Sequence, residues 1–343
     1  MKPNELIAKI ENGELDKSFK KIYVSDSAVE AQKPRYIRTI KEFINLFGDD
    51  RDVFVLSAPG RTEVCGNHTD HNNGKVLAAS INLDAIAIAA KRDDMKINEK
   101  SEGHGLNEVD ISTLSPDEAE YGRSSSMIKG VAAGLKEKGY EIGGFDACTT
   151  SDVMGGSGLS SSAAFEVLIA TVINHLYNDG KIDAVTVAKA AQFSENVYFG
   201  KPSGLLDQMA SSVGTFVTID FKDTANPVIK KVDFDFAKSG YSLCIVDTHG
   251  NHSDLTDDYA AVRGEMEAVA KAMGKNVLRE VEYEEFFQSL DVLKEKVNDR
   301  ALLRAFHFFG ENERVDKAVS SLENNDFDSF KQVITESGYS SFL

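Results

Sequence analysis

The chain has 343 residues, a formal net charge of −17 at pH 7 and a sequence pI near 4.9. That length allows two lobes with a sizeable core, and the acidity argues against non-specific binding to nucleic acid or to anionic membranes, both of which need a cationic surface. Cys65, Cys148 and Cys244 are widely spaced, odd in number and without CxxC or Cys/His clustering, so neither a disulfide framework nor a zinc site is expected and the three read as buried apolar positions in a reducing cytoplasm. Residues 1–30 are charged and polar, with no apolar run suited to a signal peptide or membrane span, so a cytoplasmic protein is expected.

Residues 4–49 read as helical, with Leu6, Ile7, Ile10, Leu15 and Phe19 in one segment and Ile37, Ile40, Phe43, Ile44, Leu46 and Phe47 in the next, and Lys33-Pro34 as the break between them. A strand over 53–57 ends at Ala58-Pro59-Gly60, and an apolar run over 85–90 forms another. Between them, residues 61–74 carry Arg61, Glu63, Asn67, His68, Asp70, His71, Asn72 and Asn73, more hydrogen-bonding groups than a surface turn requires. By themselves His68 and His71 also fit ordinary exposed loop positions.

A helix is expected over 127–138, stopped by Gly139. The β-leaning run 145–151 then leads into Gly155-Gly156-Ser157-Gly158-Leu159-Ser160-Ser161-Ser162-Ala163, and Val167, Leu168, Val172, Ile173 and Leu176 follow at helical spacing. Glycines that let the backbone approach a ligand, placed before a helix N-terminus with unpaired N–H groups, make a phosphate cradle. The same residues also fit a Gly/Ser linker or a serine-capped helix. Asp183 caps a further helix to about Phe199, and Asp207 falls in the first turn of the next, where the helix dipole favours an acid whatever its role. Strands are expected at 216–220 and 243–247, with a lobe boundary near 213–222. Helices follow at 255–273, 282–293, 300–309, 314–322 and from 327.

Three blocks together resemble the galactokinases of the GHMP small-molecule kinases. The sugar-loop pattern A-P-G-R-x-N-x-x-G-E-H-T-D-Y-N-x-G corresponds to residues 58–74, the phosphate motif G-G-G-L-S-S-S-A to residues 156–163, and A-E-x-x-x-x-G-x-P-C-G-x-x-D-Q to residues 194–208. The resemblance runs from about residue 35 onward and implies an α+β, two-lobed GHMP-kinase fold. Its N-terminal lobe, residues 1–215, is ribosomal-S5-domain-2-like and holds sugar and nucleotide; its C-terminal lobe, residues 216–343, is ferredoxin-like. It further implies ATP and Mg²⁺ as cofactors and phosphorylation of a sugar's anomeric hydroxyl. Carried over by position, residues 155–163 surround the nucleotide phosphates, Ser162 and Glu195 hold Mg²⁺, Asp207 is the base and Arg61 its cation, and Asn67, His68, Asp70, Gly204 and Tyr259 contact the sugar.

Two departures stand out. Asn67 replaces a glutamate that ordinarily meets the sugar's C6 hydroxyl, and Glu63 replaces an asparagine; galactose is therefore the expected substrate with galacturonate as runner-up. The family's third glycine-rich block, G-x-G-F-G-G, has no counterpart before Leu343, so an incomplete second lobe, exposed apolar surface and self-association are expected. The other readings are a silent sugar and ATP sensor, a mevalonate or homoserine kinase on the same fold, and an inactive fragment; no obligate protein partner is expected.

Overall fold

The computed structural model describes residues 1–246 and 256–342, apart from the side chains of residues 256–260. In chain order the helices are α1 (Pro3–Glu11), α2 (Asp16–Tyr23), α3 (Asp26–Phe47), α4 (Ser124–Glu137), α5 (Ser161–Tyr177), α6 (Ala184–Phe193), α7 (Leu206–Val213), α8 (Thr256–Ala272), α9 (Tyr283–Gln288), α10 (Leu290–Leu293), α11 (Asp299–Glu323) and α12 (Phe327–Phe342). The strands are β1 (Phe54–Cys65), β2 (Lys75–Lys91), β3 (Lys96–Ser101), β4 (Leu106–Asp110), β5 (Phe145–Ser151), β6 (Phe216–Asp220) and β7 (Val228–Val232). The chain divides into two compact units, Met1–Arg61 with Ser80–Val213 and Thr62–Ala79 with Gly214–Leu343. A boundary drawn from sequence at 215 assigns residues 62–79 to the first lobe, whereas their contacts lie with the second unit.

In the first unit, β5 pairs antiparallel with β2 (Ile88 opposite Cys148) and parallel with β3, and β3 pairs antiparallel with β4. Strand β2 is apolar on both faces, Ile86, Ile88 and Ala90 packing with the α1–α3 layer and Ala85, Ala87 and Ala89 with the core around α4–α6. That is the continuous apolar run expected of a strand covered on both sides. Helix α3 continues through Pro34 instead of breaking there. An interior proline costs about 3 kcal/mol, and burial of Tyr36, Ile40 and Phe43 on the same helix offsets it; the chain reverses earlier, at residues 12–15 and 24–25. Strands β3 and β4 carry too many charges to read as strands from sequence.

A buried polar knot supports the root of the glycine loop. Arg35, 5% exposed, donates to Asp84 Oδ1 (2.7 Å), to the Asp84 carbonyl (2.7 Å), to the Thr150 carbonyl (3.0 Å) and to Asp152 Oδ2 (3.1 Å). Asp84 also accepts from Tyr23 Oη (2.8 Å) and from Ser57 Oγ at 2.5 Å.

In the second unit, the first five residues of β2 pair antiparallel with β6, and β6 with β7. One core joins Cys65, Leu77, Phe216, Val232, Val315, Ala318, Leu322 and Phe330; another joins Met266, Val269, Phe286, Leu302 and Phe308. The two helices read at 300–309 and 314–322 are one, α11, because Gly310 is accommodated inside it. The strand expected at 243–247 does not form over 243–246, which are exposed and irregular, and Asp247 lies outside the described residues. Cys65 and Cys148 are buried as expected; Cys244 is exposed, because that strand is absent.

Removing one partner of a buried ion pair leaves the other charge uncompensated, so Asp84→Ala is expected to lower unfolding stability by about 3–5 kcal/mol. Urea unfolding monitored by circular dichroism checks this, and an unchanged midpoint would contradict it.

Candidate active site

In the first unit the glycine loop lies between β5 and α5. Gly156 and Gly158 have φ of 75° and 76°, and a Cβ at either would meet nothing within 4 Å. Backbone conformation, not crowding, therefore demands glycine there, and the outer side of the loop is open to a ligand. Val153 and Leu159 are buried and anchor the loop at both ends. Ser160 is left-handed (φ 58°) and gives α5 no side-chain cap; its hydroxyl donates instead to Asp207 Oδ2. The first N–H groups of α5 stay available to an anion. Beside them lies a cavity of about 380 Å³ lined by Glu102, Thr149, Met154, Gly155, Ser161 and Phe165, among others.

Asp207 lies in the first turn of α7. Arg61 Nε donates to its Oδ1 (2.6 Å), Arg61 Nη1 donates to the Gly158 carbonyl (2.5 Å), and the Arg61 N–H donates to the Leu159 carbonyl (3.1 Å). One residue of β1 therefore holds both the Asp207 carboxylate and the loop. Gly60 makes this approach possible: a Cβ there would sit 3.0 Å from the Leu159 carbonyl oxygen and from a Val153 methyl. Ser211 Oγ donates to the Pro59 carbonyl (2.7 Å), tying α7 to the same strand. The Asp207 side chain is still 33% exposed, so a hydroxyl can reach it.

Glu195 lies in a widened helical turn, Ser194–Tyr198, that follows α6, and is 2% exposed. Its Oε1 accepts from Ser162 Oγ (3.1 Å) and Lys201 Nζ (2.9 Å), and its Oε2 from Gln208 Nε2 (2.7 Å). Gln208 Nε2 also reaches Glu166 Oε2 (3.3 Å). Burial first, and the Glu195 charge second, push the Glu166 carboxyl up to about 9, so it is protonated at neutral pH.

The loop expected to read a sugar belongs to the second unit. Gly66 (φ 102°) tolerates no side chain, since a Cβ would lie 2.5 Å from the Lys75 carbonyl oxygen. Thr69 is wholly buried and donates to the Gly66 and Lys75 carbonyls (2.9 and 2.6 Å), closing the loop's base. His68 takes a left-handed φ of 61°, and burial holds its imidazole below the usual histidine range, hence neutral at pH 7. Asp70 Oδ1 accepts from the His71 N–H (2.9 Å). Asn67 Nδ2 donates to Ser341 Oγ (3.1 Å). Gly204 is exposed, ahead of α7 in the first unit. Tyr259 falls within α8, but its side chain lies outside the described residues.

The family model for the galactokinase galactose-binding signature matches residues 41–91, and that for the GHMP kinases N terminal domain matches residues 126–215. The galactokinase of Streptomyces coelicolor is 33% identical over 298 residues, 86% of this chain and 76% of that protein. The chain belongs to the galactokinase family. The galactokinase of Clostridium tetani is likewise 33% identical over 310 residues, covering 88% of this chain and 76% of the relative. Among solved structures, Lactococcus lactis galactokinase complexed with galactose superposes with a TM-score of 0.70 at 27% identity, covering 88% of this chain and 77% of that one. A phosphomevalonate kinase from Streptococcus pneumoniae, 14% identical with a TM-score of 0.53 over 84% of this chain and 79% of its own, shares the GHMP-kinase fold alone.

Galactokinase-family chemistry implies a divalent cation, and the residues present fit one. Ser162 Oγ and Glu195 Oε1 are hard oxygens 3.1 Å apart, and the Lys201 ammonium drawn to that same carboxylate oxygen marks a place that favours positive charge. Among the described residues no cluster of three or more histidine, cysteine or acidic side chains forms a metal cage. Sequence reading brought out Arg61, Ser162, Glu195 and Asp207, which the structure gathers in one unit. It left Gln208 without a role although the residue follows Asp207 directly, and it did not single out Lys201 or Glu166. The one available signal for Glu166 was a carboxylate within the apolar repeat of α5.

The Glu166 carboxyl is raised on folding, so the native state binds a proton that the unfolded chain releases above the normal carboxylate range. Stability is therefore lost as pH rises toward about 9. Glu166→Gln, an uncharged mimic of the protonated acid, is expected to be relatively more stable at pH 9 than at pH 5. Melting temperatures of both proteins at the two pH values check this, and a pH-independent difference would contradict it.

Proposed function

We propose that the chain transfers the γ-phosphoryl group of ATP to the anomeric hydroxyl of galactose, releasing galactose 1-phosphate and ADP, with Mg²⁺ bound at Ser162 and Glu195. The observation that carries this reading is the Arg61–Asp207 pair, in which one arginine holds both a partly exposed carboxylate and the glycine loop. The sugar's O1 attacks Pγ, the bond from Pγ to the β,γ-bridging oxygen breaks, and the O1 proton passes to Asp207. Arg61 Nε holds the Asp207 carboxylate and orients it. Loop N–H groups and the first turn of α5 take up phosphate charge, and a bound Mg²⁺ neutralises more of it; a loose phosphoryl transition state needs such alignment and charge more than a strong nucleophile. The cavity beside α5 has room for a nucleoside. His68 and Asp70 read sugar hydroxyls.

Galacturonate is the second reading, favoured by Asn67: an amide at that position does not repel a sugar carboxylate as a glutamate would. ADP release with galactose, galacturonate, N-acetylgalactosamine and mevalonate distinguishes the acceptors, and galactose is expected to give the highest kcat/KM. A much larger value for galacturonate would replace the first reading with the second, and ligand binding without ADP release would indicate a sensor.

Asp207→Asn is expected to lower kcat by about 10²–10⁴ while changing the galactose KM far less. Steady-state kinetics check this, and a kcat near wild type would remove Asp207 as base.

A further inference from the structure

We propose that a stripe of side chains on α11, namely His307, Glu311 and Arg314 with Asn312 beside it, is the positioning element of the sugar loop and sets the affinity for the acceptor. The inference rests on the reading of residues 67–70 as sugar-contacting.

Positions 307, 311 and 314 lie one turn apart on a single face of the helix. Glu311 is wholly buried. Its Oε1 accepts from the Gly66 N–H (2.9 Å), from Cys65 Sγ (3.3 Å) and from Ser337 Oγ on α12; its Oε2 accepts from Arg314 Nε (2.6 Å). Burial by itself would raise this carboxyl, but the bonds from Ser337, Gly66 and Arg314 outweigh it and hold it below the usual range. One turn earlier, His307 Nε2 lies 2.9 Å from the Asn67 carbonyl, which only accepts, so Nε2 carries the proton. The other ring nitrogen, Nδ1, then accepts from Ser340 Oγ (2.9 Å), and Ser340 Oγ accepts from Arg314 Nη2 (2.8 Å). The result is a closed circuit from Glu311 through Arg314, Ser340 and His307 to the backbone just before His68. The far end of the loop is held from the same helix: Asn312 Oδ1 accepts from the Lys75 N–H, and Asp316 pairs with Lys75 Nζ, each at 2.6 Å.

Three of these bonds go to the loop's backbone, at the Gly66 N–H, the Asn67 carbonyl and the Lys75 N–H, so they fix where the loop lies without touching a sugar hydroxyl. A left-handed His68 is sustained only when its surroundings over-determine it, and the stripe supplies that constraint on both sides.

The test compares Glu311→Gln, His307→Ala and His307→Gln with Leu322→Ala, a buried residue of α11 outside the stripe. Leaving one of these hydrogen-bond partners unmatched is expected to raise the galactose KM about tenfold, with kcat and the ATP KM little changed. Amide hydrogen exchange over residues 66–74 should accelerate in the same variants. His307→Gln, which restores a donor to the Asn67 carbonyl, should recover part of both effects. Leu322→Ala should lower the melting temperature without moving either. The proposal is overturned if Glu311→Gln and His307→Ala leave exchange over 66–74 unchanged, or if Leu322→Ala raises the galactose KM equally. If the wild-type protein does not phosphorylate galactose, the functional reading fails, and the exchange experiment still decides whether the stripe holds the loop.

Discussion

Arg61 is the residue on which the chemistry proposed for the first unit depends. Its backbone N–H and guanidinium grip the glycine loop at Leu159 and Gly158, and its Nε holds Asp207. A bidentate or forked contact of this kind suits arginine, whose planar donors are fixed relative to one another. Lysine at that place would keep the charge but not the simultaneous hold on a carbonyl and a carboxylate. Gly60 is the necessary neighbour, because a side chain there would push β1 away from the loop.

The acidic balance of the chain sharpens the electrostatic problem. A protein of net charge −17 that binds a polyanionic nucleotide needs concentrated local positive potential, which in the proposed site comes from loop N–H groups, the α5 dipole, Arg61 and Lys201. The buried carboxylates are managed in different ways. Glu195 stays among donors from Ser162, Lys201 and Gln208; Glu166, behind Gln208, carries a proton instead. In the second unit Glu311 remains charged because its hydrogen bonds outweigh its burial. The same residue type thus serves as candidate ligand, neutral spacer and structural anchor, according to which donors surround it.

Local signals were the ones legible in the sequence. The glycine loop, its flanking strand and α5 follow from residues within about 30 positions of one another, and so do the start of α7 and the pairing of Asp207 with a helix N-terminus. What stayed hidden was decided at long range. Pro34 looked like a break, but the packing of Tyr36, Ile40 and Phe43 keeps α3 whole. The helices expected at 300–309 and 314–322 are one helix in the structure. Strand β3 exists because β5 offers it an edge, and β4 because β3 does, which no local alternation announces in Lys96–Ser101. Glu311 meets Gly66 across 245 positions of sequence, and nothing near either residue signals the contact. Asn67 and His68 could be named from the loop motif, whereas the side chains that hold them could not.

If the Arg61–Asp207 centre directs the γ-phosphoryl group of ATP to a sugar's anomeric oxygen, phosphorus and proton NMR of the product formed from ATP, Mg²⁺ and galactose will show a single sugar phosphate substituted at O1, formed in step with ADP. Phosphate on another hydroxyl, or ADP accompanied only by inorganic phosphate, would contradict it.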